Sequence, residues 1–189
     1  MLTVKGAYVL SADELGRQLM EPGQVVYRAI VERFGPAVVL ADGRLDRREL
    51  GRLAFEEGRV EELNAIVHPA TIALQAERTA EVFAHDPSAV VVVESALIFE
   101  TRHGDGWRER FDWMVLVTAP DALKVERFVA RSGGEERAEL AAEARRRLAQ
   151  MIPDQQKAGR CDFVIANDGT LKELKVRVEQ LWQALQASD

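Results

Sequence analysis

The sequence predicts an α/β fold with a mostly parallel sheet, and three observations carry that expectation. The stretch Ala89-Val90-Val91-Val92-Val93-Glu94 is a β-branched run with no polar face, the pattern of a strand covered by helices on both sides. Strand-like runs and stretches of helical period alternate along the chain instead of segregating. Two helical segments, 24–84 and about 132–158, interrupt that alternation and project from the sheet as inserts.

Composition sets the class. A chain of 189 residues with 47% hydrophobic and 30% charged residues can bury a good core and is expected to be globular. No apolar run approaches the ~20 residues of a membrane span, so no membrane partner is expected. Met1-Leu2-Thr3-Val4 lacks the basic and apolar regions of a secretory signal. The single Cys161 excludes an internal disulfide, fits a reducing cytoplasmic setting and reads as a small core residue. A net charge of −6 argues against nucleic acid as a partner, because phosphate backbones select basic surfaces. It leaves room for a local basic pocket that takes a phosphorylated small molecule.

Met1–Val4 reads as a short first strand and Ala7–Ser11 as a second, with only Lys5-Gly6 between them. Either Lys5-Gly6 is a tight hairpin turn and the strands are antiparallel, or a segment that belongs there is absent. Ser11 and Glu14 have capping-box spacing, so a helix opens at the carboxyl end of the second strand. Asp13 falls in its first turn, either as a partner of the helix dipole or as a carboxylate aimed at a ligand. Glu21-Pro22-Gly23 stops this helix. Gln24–Phe34 follows, with Val26, Ala29, Ile30, Arg33 and Phe34 spaced as one buried stripe. Leu40-Ala41-Asp42-Gly43-Arg44 reads as a turn, and Asp46 with Glu49 caps a helix that turns Leu50, Leu53 and Ala54 inward. Val60, Leu63 and Val67 continue the pattern up to His68-Pro69, where Pro69 suits the first turn of a new helix, Pro69–Ala84.

Asp86-Pro87-Ser88 turns the chain into the valine strand, which ends on Glu94. That carboxylate caps a turn, pairs with an arginine, or holds Mg²⁺ where the ligands of open sheets gather. After the polar loop Thr101–Gly106, Phe111–Thr118 is a further strand. Pro120 starts a helix lined by Leu123, Phe128 and Val129, and Arg131-Ser132-Gly133-Gly134 breaks it. Glu135–Met151 is a charged helix rich in arginine, with Arg145, Arg146 and Arg147 in succession. Asp162–Ala166 is the last strand. Thr170 with Glu173 opens a terminal helix whose apolar stripe is Leu171, Leu174, Val178, Leu181, Trp182 and Leu185.

An ordered set of motifs runs through these elements. It begins with Val9-Leu10-Ser11-Ala12-Asp13, Arg17 and Glu21-Pro22-Gly23. It continues with Phe34-Gly35, Asp42-Gly43-Arg44-Leu45-Asp46-Arg47, Leu50, Phe55 and His68-Pro69. It takes in Glu94–Glu100, Val115–Val117, Arg127, Arg131, Gln150-Met151-Ile152-Pro153, Lys157 and the stretch from Asp162 to Gly169. At these spacings the chain resembles the dephospho-CoA kinase family. The resemblance implies a P-loop-kinase-like three-layer fold with a five-stranded mostly parallel sheet. It implies a nucleotide-binding core (1–23, 85–131 and 159–189), a helical substrate insert (24–84) and a small lid (132–158) hinged at Gly133-Gly134. It implies transfer of the ATP γ-phosphate to the ribose 3′-hydroxyl of dephospho-CoA with Mg²⁺ present. Asp13 is then the base or orienting carboxylate, and Arg131 and Arg146 neutralise the transferring phosphoryl group. Arg17 and His68 lie near the acceptor, Asn167 and Arg131 near the nucleotide, and Glu94 holds Mg²⁺ through a water.

The sequence departs from the family at three places. Glu94 and Ala96 stand where Asp and Pro are usual. No Gly-x-x-x-x-Gly-Lys-Ser/Thr loop, which cradles phosphates on its backbone N–H groups, occurs anywhere in the sequence. Residues on both sides of Val4–Lys5 match the family in register, so a loop and helix of roughly 20 residues, about a parallel crossover's length, are expected to be missing there. That reading expects Met1–Val4 between the 90–94 and 113–117 strands, and Val4 and Lys5 Cα atoms well beyond the ~3.8 Å of bonded neighbours. A second reading is an inactive homologue without the P-loop that still binds nucleotide or CoA. A third, another small-molecule kinase on this scaffold, conflicts with the Asp42-Gly43 through His68-Pro69 motifs.

Overall fold

The computed structural model describes residues 1–99, 106–133 and 136–187. Gly134 and most of the Thr101–Gly106 loop lie outside them. Strands form in two parallel pairs: β1 (Tyr8–Ser11) beside β2 (Val91–Glu94), and β3 (Val115–Thr118) beside β4 (Phe163–Ala166). The chain divides into two units, Thr3–Gly106 and Met1–Leu2 with Trp107–Asp189.

In the first unit β1 passes without a loop into α1 (Ala12–Leu19). α2 (Val25–Phe34), α3 (Arg47–Gly51) and α4 (Val60–His85) follow. Val26, Ile30 and Phe34 recur at intervals of four on α2 and pack with Val38, Leu45, Leu50 and Leu53 into one core. The Asp42–Arg44 turn is pinned from two sides. Val39 and Leu45 bridge antiparallel, and the Tyr27 hydroxyl donates to the Gly43 carbonyl at 2.7 Å. Gly43 sits at φ +84°, a region that admits glycine without strain. Asp46 then caps α3, accepting from the backbone N–H of Arg48 (2.9 Å) and Glu49 (3.1 Å).

The second unit has a smaller apolar centre. Ile165, Val178 and Leu181 are buried, and Leu2, Val115, Phe163, Leu174 and Leu185 pack against them. α6 (Asp121–Ser132) packs along α7 (Arg137–Gln150), and α8 (Asp154–Ala158) contacts β3. Lys124 bonds Asp154 at 2.7 Å and so ties α6 to α8. α9 (Leu171–Gln186) begins with a complete capping box between Thr170 and Glu173. α5 (Trp107–Arg110) is a single turn.

Several expectations are corrected. Met1–Val4 is not a strand: Leu2–Lys5 is one 3₁₀ turn, closed by the Gly6 N–H on the Thr3 carbonyl at 3.1 Å. Val4 and Lys5 are consecutive residues of that turn, so the hairpin alternative falls. A strand needs a partner ladder, and two residues cannot span a parallel crossover; the segment coils on itself and leaves Val4 92% exposed. Four strands form among the described residues.

β2 is half-buried, not buried on both faces, because burial depends on the layers laid against a strand and not on its own pattern. The 111–118 strand is confined to β3. Ser11 precedes α1 without a side-chain cap, and Glu14 pairs with Arg17 instead. Arg33 leaves the buried stripe to bond Glu62, and Leu171 is exposed. His68-Pro69 does not break the helix. Pro69 lies inside the 26-residue α4, at a cost of about 3 kcal/mol. Ile66, Val67 and Ala70, packed against the α2 core, offset that cost.

Two outcomes test this packing. Ile30, fully buried, has no room to be lost: Ile30→Ala is expected to destabilise the chain by about 2–5 kcal/mol, read from its urea unfolding midpoint. Glu62 takes hydrogen bonds from Arg59, and also from Arg33 on α2, which hold its carboxyl down from 4.5 to about 2. A depressed carboxylate stabilises the fold above its unfolded value and loses that contribution as pH falls toward 2. An NMR titration of Glu62 with a midpoint near 4.5 would show that the α2–α4 tie is not made in solution.

Candidate functional site

In the first unit the candidate site forms where β1 and β2 end. Parallel pairing sets Ser11 opposite Glu94, so both strands finish at one edge. Because β1 runs directly into α1, the first turn of α1 opens at that same edge and carries Asp13 there. Asp13 and Glu94 are both exposed, and neither carboxylate is engaged by another side chain among the described residues. Arg17 stands one turn along the same face of α1, 3.2 Å from Glu14.

His68 is half-buried on α4 and is held by a neighbour. Its helix packs on α1 at Gly16, where an added Cβ would meet Thr71 Oγ1 at 3.6 Å and Val67 Cγ1 at 3.8 Å. The structure thus brings Asp13, Arg17, Glu94 and His68 onto elements that touch one another.

Among the described residues no group of three His, Cys, Asp or Glu side chains converges on a metal position. Glu94 with Ser11 across the ladder is a smaller donor set. It fits a cation that keeps its waters and is held by one carboxylate and substrate phosphates.

The second unit carries the remaining expected residues. Arg131 lies in the last turn of α6, exposed and without a side-chain partner among the described residues. Arg146 is not free: it bonds Glu143 at 2.5 Å, and Arg147 bonds the same carboxylate at 2.7 Å. These two hydrogen bonds, that from Arg147 foremost, hold the Glu143 carboxyl below the usual range. Arg147 also lies over the Phe128 ring, which fastens α7 to α6. Cys161 is half-buried, and burial pushes its thiol up, away from nucleophilic behaviour.

Asn167 follows β4, and its N–H donates to the Thr118 carbonyl at 2.7 Å. Arg127 from α6 donates to the Asn167 carbonyl at 2.9 Å and to its side-chain oxygen at 3.4 Å. Arg177 from α9 grips the other flank, donating to the Ala166 carbonyl and to Asp168 at 2.7 Å. That bond lowers the Asp168 carboxyl.

The sequence profile of the dephospho-CoA kinase family matches residues 1–173. The chain belongs to that family. It is 38% identical over 187 residues to a dephospho-CoA kinase of Symbiobacterium thermophilum, covering 97% of this chain and 73% of the relative. It is 36% identical over 187 residues to one of Thermobifida fusca, covering 98% and 87%. Among solved structures, TT1252 from Thermus thermophilus superimposes with a TM-score of 0.70 at 31% identity, over 97% of this chain and 87% of that one. The dephospho-CoA kinase of Campylobacter jejuni shares the fold at a TM-score of 0.67 and 19% identity, over 98% and 88%.

Within this family frame, Arg177 is the residue that sequence reasoning passed over, and Arg127 had been noted without a role. Thr170, Glu173 and Arg177 lie on one face of α9, and that spacing is the signal that could have found Arg177. Arg127→Met leaves the half-buried Asn167 carbonyl without its charged donor. The expected loss is about 1–3 kcal/mol, with faster amide exchange confined to Asn167–Gly169. Unchanged exchange there would remove Arg127 from the turn's support.

Proposed function

We propose that the chain is an ATP-dependent dephospho-CoA kinase, which phosphorylates the ribose 3′-hydroxyl of dephospho-CoA in the last step of coenzyme A synthesis. The observation that carries this reading is the pair of carboxylates, Asp13 and Glu94, without a side-chain partner among the described residues, at the carboxyl end of parallel strands in a chain of this family. Asp13 accepts the proton of the 3′-hydroxyl. The oxygen so activated bonds to the γ-phosphorus, the bond from that phosphorus to the bridging oxygen breaks, and ADP leaves with the electron pair. Glu94 is the residue that would hold Mg²⁺, which neutralises phosphate charge when bound.

Arg131 offers a free guanidinium to the transferring oxygens, and Arg146 does so by exchanging Glu143 for phosphate. Asn167 and Arg131 take the nucleotide; Arg17 and His68 take the acceptor. The segment 24–84 is assigned to acceptor binding and 132–158 to a lid. The remaining core supplies the sheet, and a fifth strand belongs to this reading. ATP and dephospho-CoA are the small-molecule partners, in the cytoplasm.

One observation favours a second reading. The sequence has no Gly-x-x-x-x-Gly-Lys-Ser/Thr loop, and the Leu2–Lys5 turn leads almost directly into β1. A chain without that cradle binds the acceptor without phosphorylating it. Incubation with ATP, Mg²⁺ and dephospho-CoA separates the two. CoA formation, lowered about 10²-fold or more in Asp13→Asn with acceptor affinity kept, is the kinase outcome. Acceptor binding with no CoA formed is the outcome of the second reading. Equal turnover in wild type and Asp13→Asn would remove Asp13 from the chemistry.

A further inference from the structure

Two guanidinium groups from two helices hold the turn that ends β4, and they hold it differently. Arg127, on α6, donates to the carbonyl and the side-chain oxygen of Asn167 itself. Arg177, on α9, uses one nitrogen, Nη1, for both the Ala166 carbonyl and the Asp168 carboxylate. A single donor nitrogen that reaches residues 166 and 168 straddles Asn167 and fixes its two neighbours relative to each other.

α9 is itself fixed to the strand it serves. Val178, next to Arg177, is buried with Leu181 against Ile165 of β4. One turn earlier on α9, Glu173 accepts from the Thr170 N–H at 2.7 Å and lies against Gly169. A Cβ added at Gly169 would overlap Glu173 Oε2 and stand 3.1 Å from Cδ. α9 thus meets the turn with a carboxylate at residues 169–170 and a guanidinium at 166 and 168. Stability gives Arg177 little to do: the Arg177–Asp168 pair is 37% and 45% exposed, and pairs so open to water contribute little.

We propose that Arg177 is a positioning residue for nucleotide binding: by bracing Ala166 and Asp168 it holds the Asn167 side chain ready for the nucleotide. This rests on the nucleotide role given to Asn167 above. Arg177 does not touch the nucleotide; it acts through the backbone on either side of Asn167. A side-chain amide that bonds a ligand gains from being held before the ligand arrives, because the cost of ordering it then falls on folding and not on binding.

Calorimetric titration of the full chain with ATP and Mg²⁺ and, separately, with dephospho-CoA tests it. Arg177→Met is expected to weaken ATP binding about 10-fold. Dephospho-CoA affinity is expected to stay unchanged, and the thermal midpoint to fall by no more than about 4 °C. Arg177→Lys, which keeps one donor nitrogen on a long stem, is expected to recover part of the loss. Asn167→Ala is expected to lose as much as Arg177→Met, and the double variant no more than either, because both act on one contact. ATP bound as tightly by Arg177→Met as by wild type overturns this inference and leaves the nucleotide role of Asn167 standing. Losses that add in the double variant overturn it as well, and so does a loss shared equally with dephospho-CoA. A wild-type chain that binds dephospho-CoA but no ATP overturns the nucleotide reading and this inference together.

Discussion

The approach of α1 to α4 is the contact on which the first unit depends. Gly16 presents no side chain, and Val67 and Thr71 of α4 close to van der Waals range of where one would stand. Two consequences follow from that one position. α4 can run unbroken past Pro69 because it has a helix to lean on. And α1, packed on α4 at that position, carries Asp13 at one end and leads to Met20 at the other, so the two ends keep a set spacing. A bulkier residue at position 16 would separate the helices, and both ends of α1 would shift with it.

The second unit is held differently. Its apolar centre is small, and much of its order is polar. Arginines from α6 and α9 fix the turn after β4, Lys124 ties α6 to α8, and Glu143 gathers two arginines of α7. Exposed pairs of this kind are individually weak. Their value here is geometric, since each one sets the direction of a chain segment that carries a candidate ligand group.

Much of this was legible from the sequence, for identifiable reasons. Asp46 with Glu49 and Thr170 with Glu173 are local signals, and both caps formed. The α2 core stripe and the parallel alternation of strands were equally local. Asp13 and Glu94 stand at the strand ends where the sequence sets them, because their positions follow from the strands before them. What failed was what depends on distant partners. Met1–Val4 has strand composition but no ladder to join. Pro69 has a breaker's chemistry and is overruled by tertiary packing. Arg33 has the spacing of a core residue and finds Glu62, 29 residues on, instead. Arg177 could be weighed only once Ala166 and Asp168 were seen beneath it.

The half-open position of β2 has a consequence for solubility. Among the described residues β2 pairs with β1 alone, so the other edge of this uncharged valine run has no ladder partner among them. Such an edge is a template on which identical segments of other copies can stack. Asp86 and Glu94 bracket the run, and a negative charge at each end opposes in-register stacking by repulsion between copies. A charge at that end of the run works against stacking whether or not Glu94 also meets a ligand.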